Sequence, residues 1–200
     1  MQESPATRAS LLVRLRDGSD ADAWREFVRL YAPVIYGFAR KRGLQDADAA
    51  DLMQDVLRSV SGAMGRLDYD PVRGTFRGWL FTVTRNKVFN FLDSRNRRVQ
   101  GSGDSRTQQR LEQHAEADGK LSADWEADYQ RAMAAQAMET VKGEFQPATW
   151  QAFILTAVEG RAPAEVAARV GLSVGAVYVA KSRVIARLRQ EIERMQGDEP

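Results

Sequence analysis

Read for the spacing of its apolar positions, the chain is a succession of helices. Leu11, Leu12 and Leu15 form a short apolar helix that ends at Asp17-Gly18. Ser19 or Asp20 can cap the next segment, in which Ala23, Phe27, Leu30, Tyr31, Val34 and Phe38 keep helical period until Gly43. A third helix starts near Asp46, with a stripe at Met53, Val56, Leu57 and Val60. Asp70-Pro71 and Gly74 mark a turn, after which Phe76, Trp79, Leu80 and Val83 repeat the i, i+3, i+4, i+7 pattern. Thr84-Arg85-Asn86-Lys87 reads as a break, and a further helix follows through Val88, Phe89, Phe91 and Leu92 to Arg95, Arg97 and Arg98. Residues 99–122 are nearly free of apolar side chains and read as a flexible polar linker with transient helix in its Gln-rich part. From Asp124 a helix resumes through Trp125, Tyr129, Met133, Ala137 and Val141, and Pro147 opens another with Trp150, Phe153, Ile154 and Val158. No strand alternation or internal repeat interrupts this series, so the expected fold is all-α, with helical domains over 1–98 and 123–195.

The last third carries the most specific pattern. Ala162 to Arg189 holds two helical stretches joined by Gly-Leu-Ser, the spacing of a helix-turn-helix. Pro163 suits a first helical position, Glu165 favours the positive end of the helix dipole, Gly171 stops the helix and Ser173 can cap the next. Val177, Ala180, Val184, Leu188 and Ile192 draw one inward stripe, and the opposite side carries Gly175, Val179, Ser182, Arg183 and Ala186, with Tyr178 and Arg189 on one shoulder. A recognition helix enters the major groove N-terminus first, which places Tyr178, Val179, Ser182 and Arg183 at base edges. Arg can pair guanine bidentately and Val179 can pack on a thymine methyl, while Arg189, further along, is placed for phosphate.

Charge sharpens the picture because the net +2 conceals blocks. Residues 71–110 carry nine bases against two acids (+7), and 161–194 seven against three (+4). Residues 43–70 carry six acids against two bases (−4), and 111–144 eight against three (−5). Two separate basic blocks suggest two contacts with nucleic acid. In the first, aromatics interleave with cations, the chemistry of single-stranded or unstacked nucleic acid, although most of Trp79, Phe81, Phe89 and Phe91 must serve the core. In the acidic block, Asp48, Asp51 and Asp55 stack on one helix face, either a solvated surface or a face whose mutual repulsion a basic partner would relieve.

Other chemistry is scarce. The chain has no cysteine and a single histidine, His114, so thiolate zinc sites, disulfides and His-based catalysis are not expected, and neither metal nor cofactor is anticipated. The sequence shows no run of about eighteen apolar residues and no basic-then-apolar leader, so a cytoplasmic protein without membrane insertion is expected.

Three stretches together resemble bacterial RNA polymerase sigma factors of the extracytoplasmic-function (ECF) class, which keep only regions two and four: DAADLMQDVL from Asp48, FRGWLFTVTRN from Phe76 with the cluster at Arg95 to Arg98, and LSVGAVYVAKSRV from Leu172. The resemblance implies a non-catalytic promoter-specificity subunit whose partners are core RNA polymerase and promoter DNA, and it leaves room for an anti-sigma protein or other regulator. It assigns Asp48, Asp51, Gln54 and Asp55 to core-polymerase docking. It gives Trp79, Arg85, Asn86, Lys87, Asn90, Arg95, Arg97 and Arg98 to the minus-ten element and its melted strand, with Asn86 in a base-capturing loop. It gives Ser173, Gly175, Tyr178, Val179, Lys181, Ser182, Arg183, Arg187 and Arg189 to the minus-thirty-five element. The family commonly has a basic residue where Tyr178 stands and a small polar one where Val179 stands, so no standard promoter sequence carries over. A helix-turn-helix regulator that is not a polymerase subunit is the alternative, against which the basic aromatic block at Phe76 to Arg98 argues; a recombinase or nuclease would need a carboxylate cluster for metal ions.

Overall fold

Capping chemistry sets where the elements begin. Asp20 Oδ1 accepts the Ala23 N–H at 2.8 Å and opens α2 (Ala21–Lys41) behind the short α1 (Ala9–Leu15). Arg14 bridges α1 to that cap, donating to the two Asp20 carboxylate oxygens at 2.8 and 3.0 Å. In the computed structural model, residues 9–65, 75–100 and 107–196 are described, with the backbone alone given for 9–10, 96–100 and 107–118. Every element among them is helical. After α2 come α3 (Asp46–Met64), α4 (Phe76–Gln100) and α5 (Thr107–Val141), then α6 (Pro147–Phe153), α7 (Pro163–Val170) and α8 (Val174–Gln196). The turn expected at Asp70 to Gly74 lies outside the described residues.

The chain divides into two compact units, Met1–Ala132 and Met133–Pro200. The core of the first is built from α2 (Phe27, Tyr31, Val34, Phe38), α3 (Ala49, Leu52, Val56, Val60, Met64) and α4 (Phe76, Leu80, Val88), all buried. Each large apolar side chain so buried contributes about 1.5–3 kcal/mol. The α3 stripe is turned slightly from the expected one: Leu52 and Met64 are buried while Met53 and Leu57 are half-exposed.

Three expectations are corrected in this unit. Thr84 to Lys87 is not a break, because α4 runs unbroken from Phe76 to Gln100 and Asn86 lies in its interior. Thr84 itself occupies a core position in the series Phe76, Leu80, Thr84, Val88; it is fully buried, and its hydroxyl donates to the Leu80 carbonyl at 2.8 Å. The stretch 99–122 is not linker throughout, since α5 starts at Thr107. The following residues also fall differently from the domain boundary at 123: Trp125 and Tyr129 sit in the first unit, Trp125 against Phe38 and Phe81 with ring centroids 5.6 and 5.8 Å away, and Tyr129 stacked on Tyr31 at 5.6 Å.

The second unit follows the expected helix-turn-helix closely. Pro163 begins α7, Gly171 ends it at φ 69°, a left-handed conformation that glycine adopts without a Cβ penalty, and Ser173 Oγ accepts the Ala176 N–H at 3.1 Å to start α8. Ala152, Leu155, Val166, Ala167, Val177 and Ala180 form its core, with Val170 and Leu172 against it. Between α6 and α7 the chain widens into a π-helical turn over Ile154–Val158. That extra residue per turn shifts the phase, so Val158, expected inward, is 60% exposed. Further along α8 the stripe also drifts: Val177, Ala180 and Val184 are buried as expected, but Glu191 and Met195 take the inner positions while Leu188 and Ile192 are half-buried.

Candidate nucleic-acid and partner interfaces

On the first unit, α3 presents the acidic face as its spacing requires. Asp51, Gln54 and Asp55 are exposed and Asp48 is half-buried, while Leu52 and Val56, on the flank beside them, turn into the core. Asp55 is bridged by Arg58 at 2.8 Å, an exposed pair of little energetic weight. A groove of about 380 Å³ separates this face from α4, lined by Asp48, Asp51, Leu52, Asp55, Lys87, Asn90 and Phe91. Three of the four residues expected to meet polymerase, Gln54 excepted, and two of those expected to meet DNA thus share one groove.

Along α4, Asn86, Asn90 and Arg95 are exposed and Trp79, Arg85 and Lys87 are half-buried. Asn86 Oδ1 accepts from Arg85 Nη2 at 3.4 Å, a long contact between neighbours. Since Asn86 is mid-helix, its side chain does not cap a helix and its backbone is not in a loop. The side chains of Arg97 and Arg98 lie outside the described residues. Of the aromatics in this block, Phe81 is buried, and Trp79, Phe89 and Phe91 are half-buried.

On the second unit, Ser173, Gly175, Tyr178, Val179, Ser182, Arg183 and Arg189 are exposed and Lys181 is half-buried. Tyr178 and Val179 are 56% and 57% exposed, an unusual pairing of large apolar surface on the leading turns of a helix. Gly175 is exposed, and a Cβ added there would meet nothing within 4 Å. A helical glycine costs about 1 kcal/mol relative to alanine, and nothing within the unit requires it.

Arg187 stands apart from the set to which the resemblance assigned it. Its Nε and Nη2 donate to the two Glu144 carboxylate oxygens, both at 2.7 Å, and its Nη1 donates to Glu191 at 3.2 Å. Glu191, 1% exposed, also takes both Nε and Nη2 of Arg194, at 3.1 and 2.6 Å. Arg194 and, less strongly, Arg187 hold the Glu191 carboxyl below the usual carboxylate range against the opposing effect of burial. Arg187 is therefore a tether between α8 and the 3₁₀ turn Lys142–Glu144. The sequence does carry a signal for this network, which the apolar pattern passed over: an acid on the inward face of a helix with arginines four residues before and three after it.

Comparison with known proteins gives these surfaces a family. Residues 27–98, from α2 into the end of α4, match the sigma-70 region 2 family. The chain is 29% identical over 185 residues to the ECF RNA polymerase sigma factor SigE of Mycolicibacterium smegmatis, an overlap covering 88% of this chain and 62% of that one. It is 32% identical over 83 residues to the ECF RNA polymerase sigma factor RpoE of Cereibacter sphaeroides, covering 42% and 45%. The chain is thus similar to sigma-70 region 2 over residues 27–98 and to ECF RNA polymerase sigma factors over more of its length. The chain thus spans less than two thirds of the length of these two curated relatives. The solved structure of CnrH in complex with the cytosolic domain of CnrY is 24% identical, with a TM-score of 0.37 over 90% of this chain and 94% of that one. All of the first-unit positions discussed above, from Asp48 to Arg98, fall inside the region 2 match, and the helix-turn-helix lies beyond it.

Among the described residues, no group of three or more His, Cys, Asp or Glu side chains could hold a metal ion, and no helix is long and apolar enough to cross a membrane.

Proposed function

We propose that this chain is an ECF sigma factor, a non-catalytic subunit that brings core RNA polymerase to chosen promoters, with the α3 acids on the polymerase, α4 on the minus-ten element and the leading turns of α8 on the minus-thirty-five element. The supporting observation is the order of surfaces along one chain: a region 2 match over 27–98, followed by a capped helix-turn-helix whose outer edge is Gly175, Tyr178, Val179, Ser182 and Arg183. In this reading the first unit holds a region 2-like domain over 27–98, and the second unit, from Met133, is a region 4-like domain. The relatives' names as RNA polymerase sigma factors favour the same assignment, and with it a cytoplasmic protein open to control by an anti-sigma protein.

Gly175 fits close approach of a duplex, because the position lacks any steric reason within the unit to forgo a side chain. Arg183 then reads a base edge and Arg189 meets phosphate, while Arg187 keeps the helix in place. The test is reconstitution of purified core polymerase with and without the chain on a library of genomic fragments, scored by transcript starts. Starts that appear only with the chain, preceded by two conserved blocks, are expected. A chain that binds palindromic duplexes by itself and adds no starts would establish the regulator reading instead.

A further inference from the structure

Charged and aromatic groups from α5 meet α2 and α4 over the stretch Asp124–Arg131, and they are unevenly satisfied. Lys41 Nζ donates to both Asp128 carboxylate oxygens at 2.7 and 2.8 Å, and Arg131 pairs with the same carboxylate. Arg42 Nη2 stands 3.7 Å from Asp124, and its guanidinium carbon lies 3.7 Å from the Phe38 ring centroid. Burial pushes the Arg42 guanidinium below its ordinary value, with Asp124 and Asp128 opposing. Arg77, only 2% exposed, lies 4.3 Å over the Tyr129 ring, with Nη1 3.6 Å from Glu126 Oε1. That separation is an ion pair without a hydrogen bond. None of the three Arg77 nitrogens, nor Arg42 Nε, nor Trp125 Nε1, has a protein hydrogen-bond partner although all are buried.

Two opposing effects act on this contact. The rings of Trp125 and Tyr129 bury apolar area and the three acids attract three cations, but a guanidinium taken out of water without hydrogen bonds costs much of what its ion pair returns. Trp125 and Tyr129, 2% and 1% exposed, supply the apolar part of the contact, and the carboxylate–cation pairs add a part that salt weakens. The rest of the first unit rests on the apolar packing of α2, α3 and α4 and lacks that salt-sensitive part.

We infer that Asp124–Arg131 is a releasable strap, an acidic, aromatic stretch of helix seated on the cationic, aromatic face formed by Tyr31, Phe38, Lys41, Arg42, Arg77 and Phe81. The chain continues from this stretch into the second unit, so release increases the number of residues free to span between the units. Under the function proposed above, on which this consequence rests, the strap sets how far apart two promoter elements can be read by one chain. Its recognition chemistry is legible on both sides: acids at 124, 126 and 128 with rings at 125 and 129, against cations at 41, 42 and 77 with rings at 31, 38 and 81.

The test is amide hydrogen exchange on the full chain, without polymerase or DNA, at salt concentrations from about 0.1 M to about 1 M, over which the screening length falls from about 10 Å to about 3 Å. Protection of residues 124–131 is expected to drop about tenfold while amides of α2 and α3 keep theirs, as follows from several weak pairs lost together. Lys41→Gln should lower protection of the stretch at low salt and flatten its salt dependence. Exchange of 124–131 in step with α2 and α3 at every salt concentration would overturn the strap, as would a salt dependence left unchanged by the exposed Lys41→Gln substitution. Because polymerase is absent, failure here leaves the promoter-subunit reading standing, and failure of reconstitution leaves the strap standing.

Discussion

Glu191 shows what a single residue does to the reading of a surface. A carboxylate on the inner face of α8 is out of place by hydrophobic pattern, yet it is the point on which Arg187 and Arg194 converge, and through Arg187 it is joined to Glu144. This removes Arg187 from the DNA-facing set and gives it to the frame that presents Tyr178, Val179 and Arg183. The pairing also sets a pH dependence. The folded-state value of Glu191 is depressed relative to an unfolded glutamate at about 4.3. Its contribution is therefore complete above that value and is lost as pH falls through the lower folded value. Glu191→Gln should accordingly destabilise the second unit at pH 7 by about 1.5–3 kcal/mol, the weight of hydrogen bonds to a charged group. The gap from the parent should narrow on acidification below the usual carboxylate range. Urea unfolding followed by circular dichroism, at neutral and at acid pH, measures both; a gap that widens on acidification would contradict the assignment.

At the scale of the element, α4 is where pattern and structure part most clearly. The apolar repeat of Phe76 and Leu80 resumes at Val88, and the residue between, Thr84, looks polar to any hydrophobicity count. Its hydroxyl is satisfied within the helix by the Leu80 carbonyl, so the position is spent on the core without interrupting the backbone. A polar Thr-Arg-Asn-Lys run therefore imitates a loop. The caps of α2 and α8, by contrast, were legible, since Asp20 and Ser173 are local in cause and effect. The correction changes what Asn86 can tell us. In a helix interior an exposed asparagine is inferior to alanine by up to about 0.7 kcal/mol. Asn86→Ala should therefore leave the fold as stable as the parent or slightly more so. If the Asn86 amide holds an extruded base, the same variant should reduce permanganate-reactive thymines at the start site more than about tenfold, since extrusion costs a few kcal/mol that the pocket must recover. Unchanged opening by this well-folded variant would remove base capture from Asn86.

At the scale of the whole molecule, the division into two units was foreseeable from the polar stretch that parts two series of apolar helices, but its position was not. The acids of residues 111–144 gave no indication of where they would be used, because Asp124 and Asp128 find Arg42 and Lys41 more than eighty positions earlier, and periodicity sees only neighbours. The acids of α3 raise the converse question, since they face outward with Arg58 alone bridging Asp55 among the pairs above. Asp48, Asp51 and Asp55 repel one another along one face while Leu52, Val56 and Val60, on the flank beside it, hold the helix to the core, so the cluster is tolerated by the fold without being needed for it. Reversing two of its charges should spare the unit: a cation at position 51 would be attracted to Asp48, and the Asp55–Arg58 bridge is too exposed to matter much. A basic docking surface would respond in the opposite sense, turning several attractions into repulsions at once. Asp51→Arg combined with Asp55→Arg is therefore expected to abolish capture of core polymerase with helical circular dichroism and thermal midpoint near those of the parent. The groove these acids share with Lys87 and Asn90 makes a second readout informative. With two acids reversed beside α4, binding of the free chain to a single-stranded oligonucleotide should strengthen at low salt, because phosphates approach a more positive groove. Lost polymerase capture together with stronger oligonucleotide binding would separate docking from DNA contact on neighbouring faces of one unit, whereas normal polymerase capture by the folded double variant would remove docking from α3.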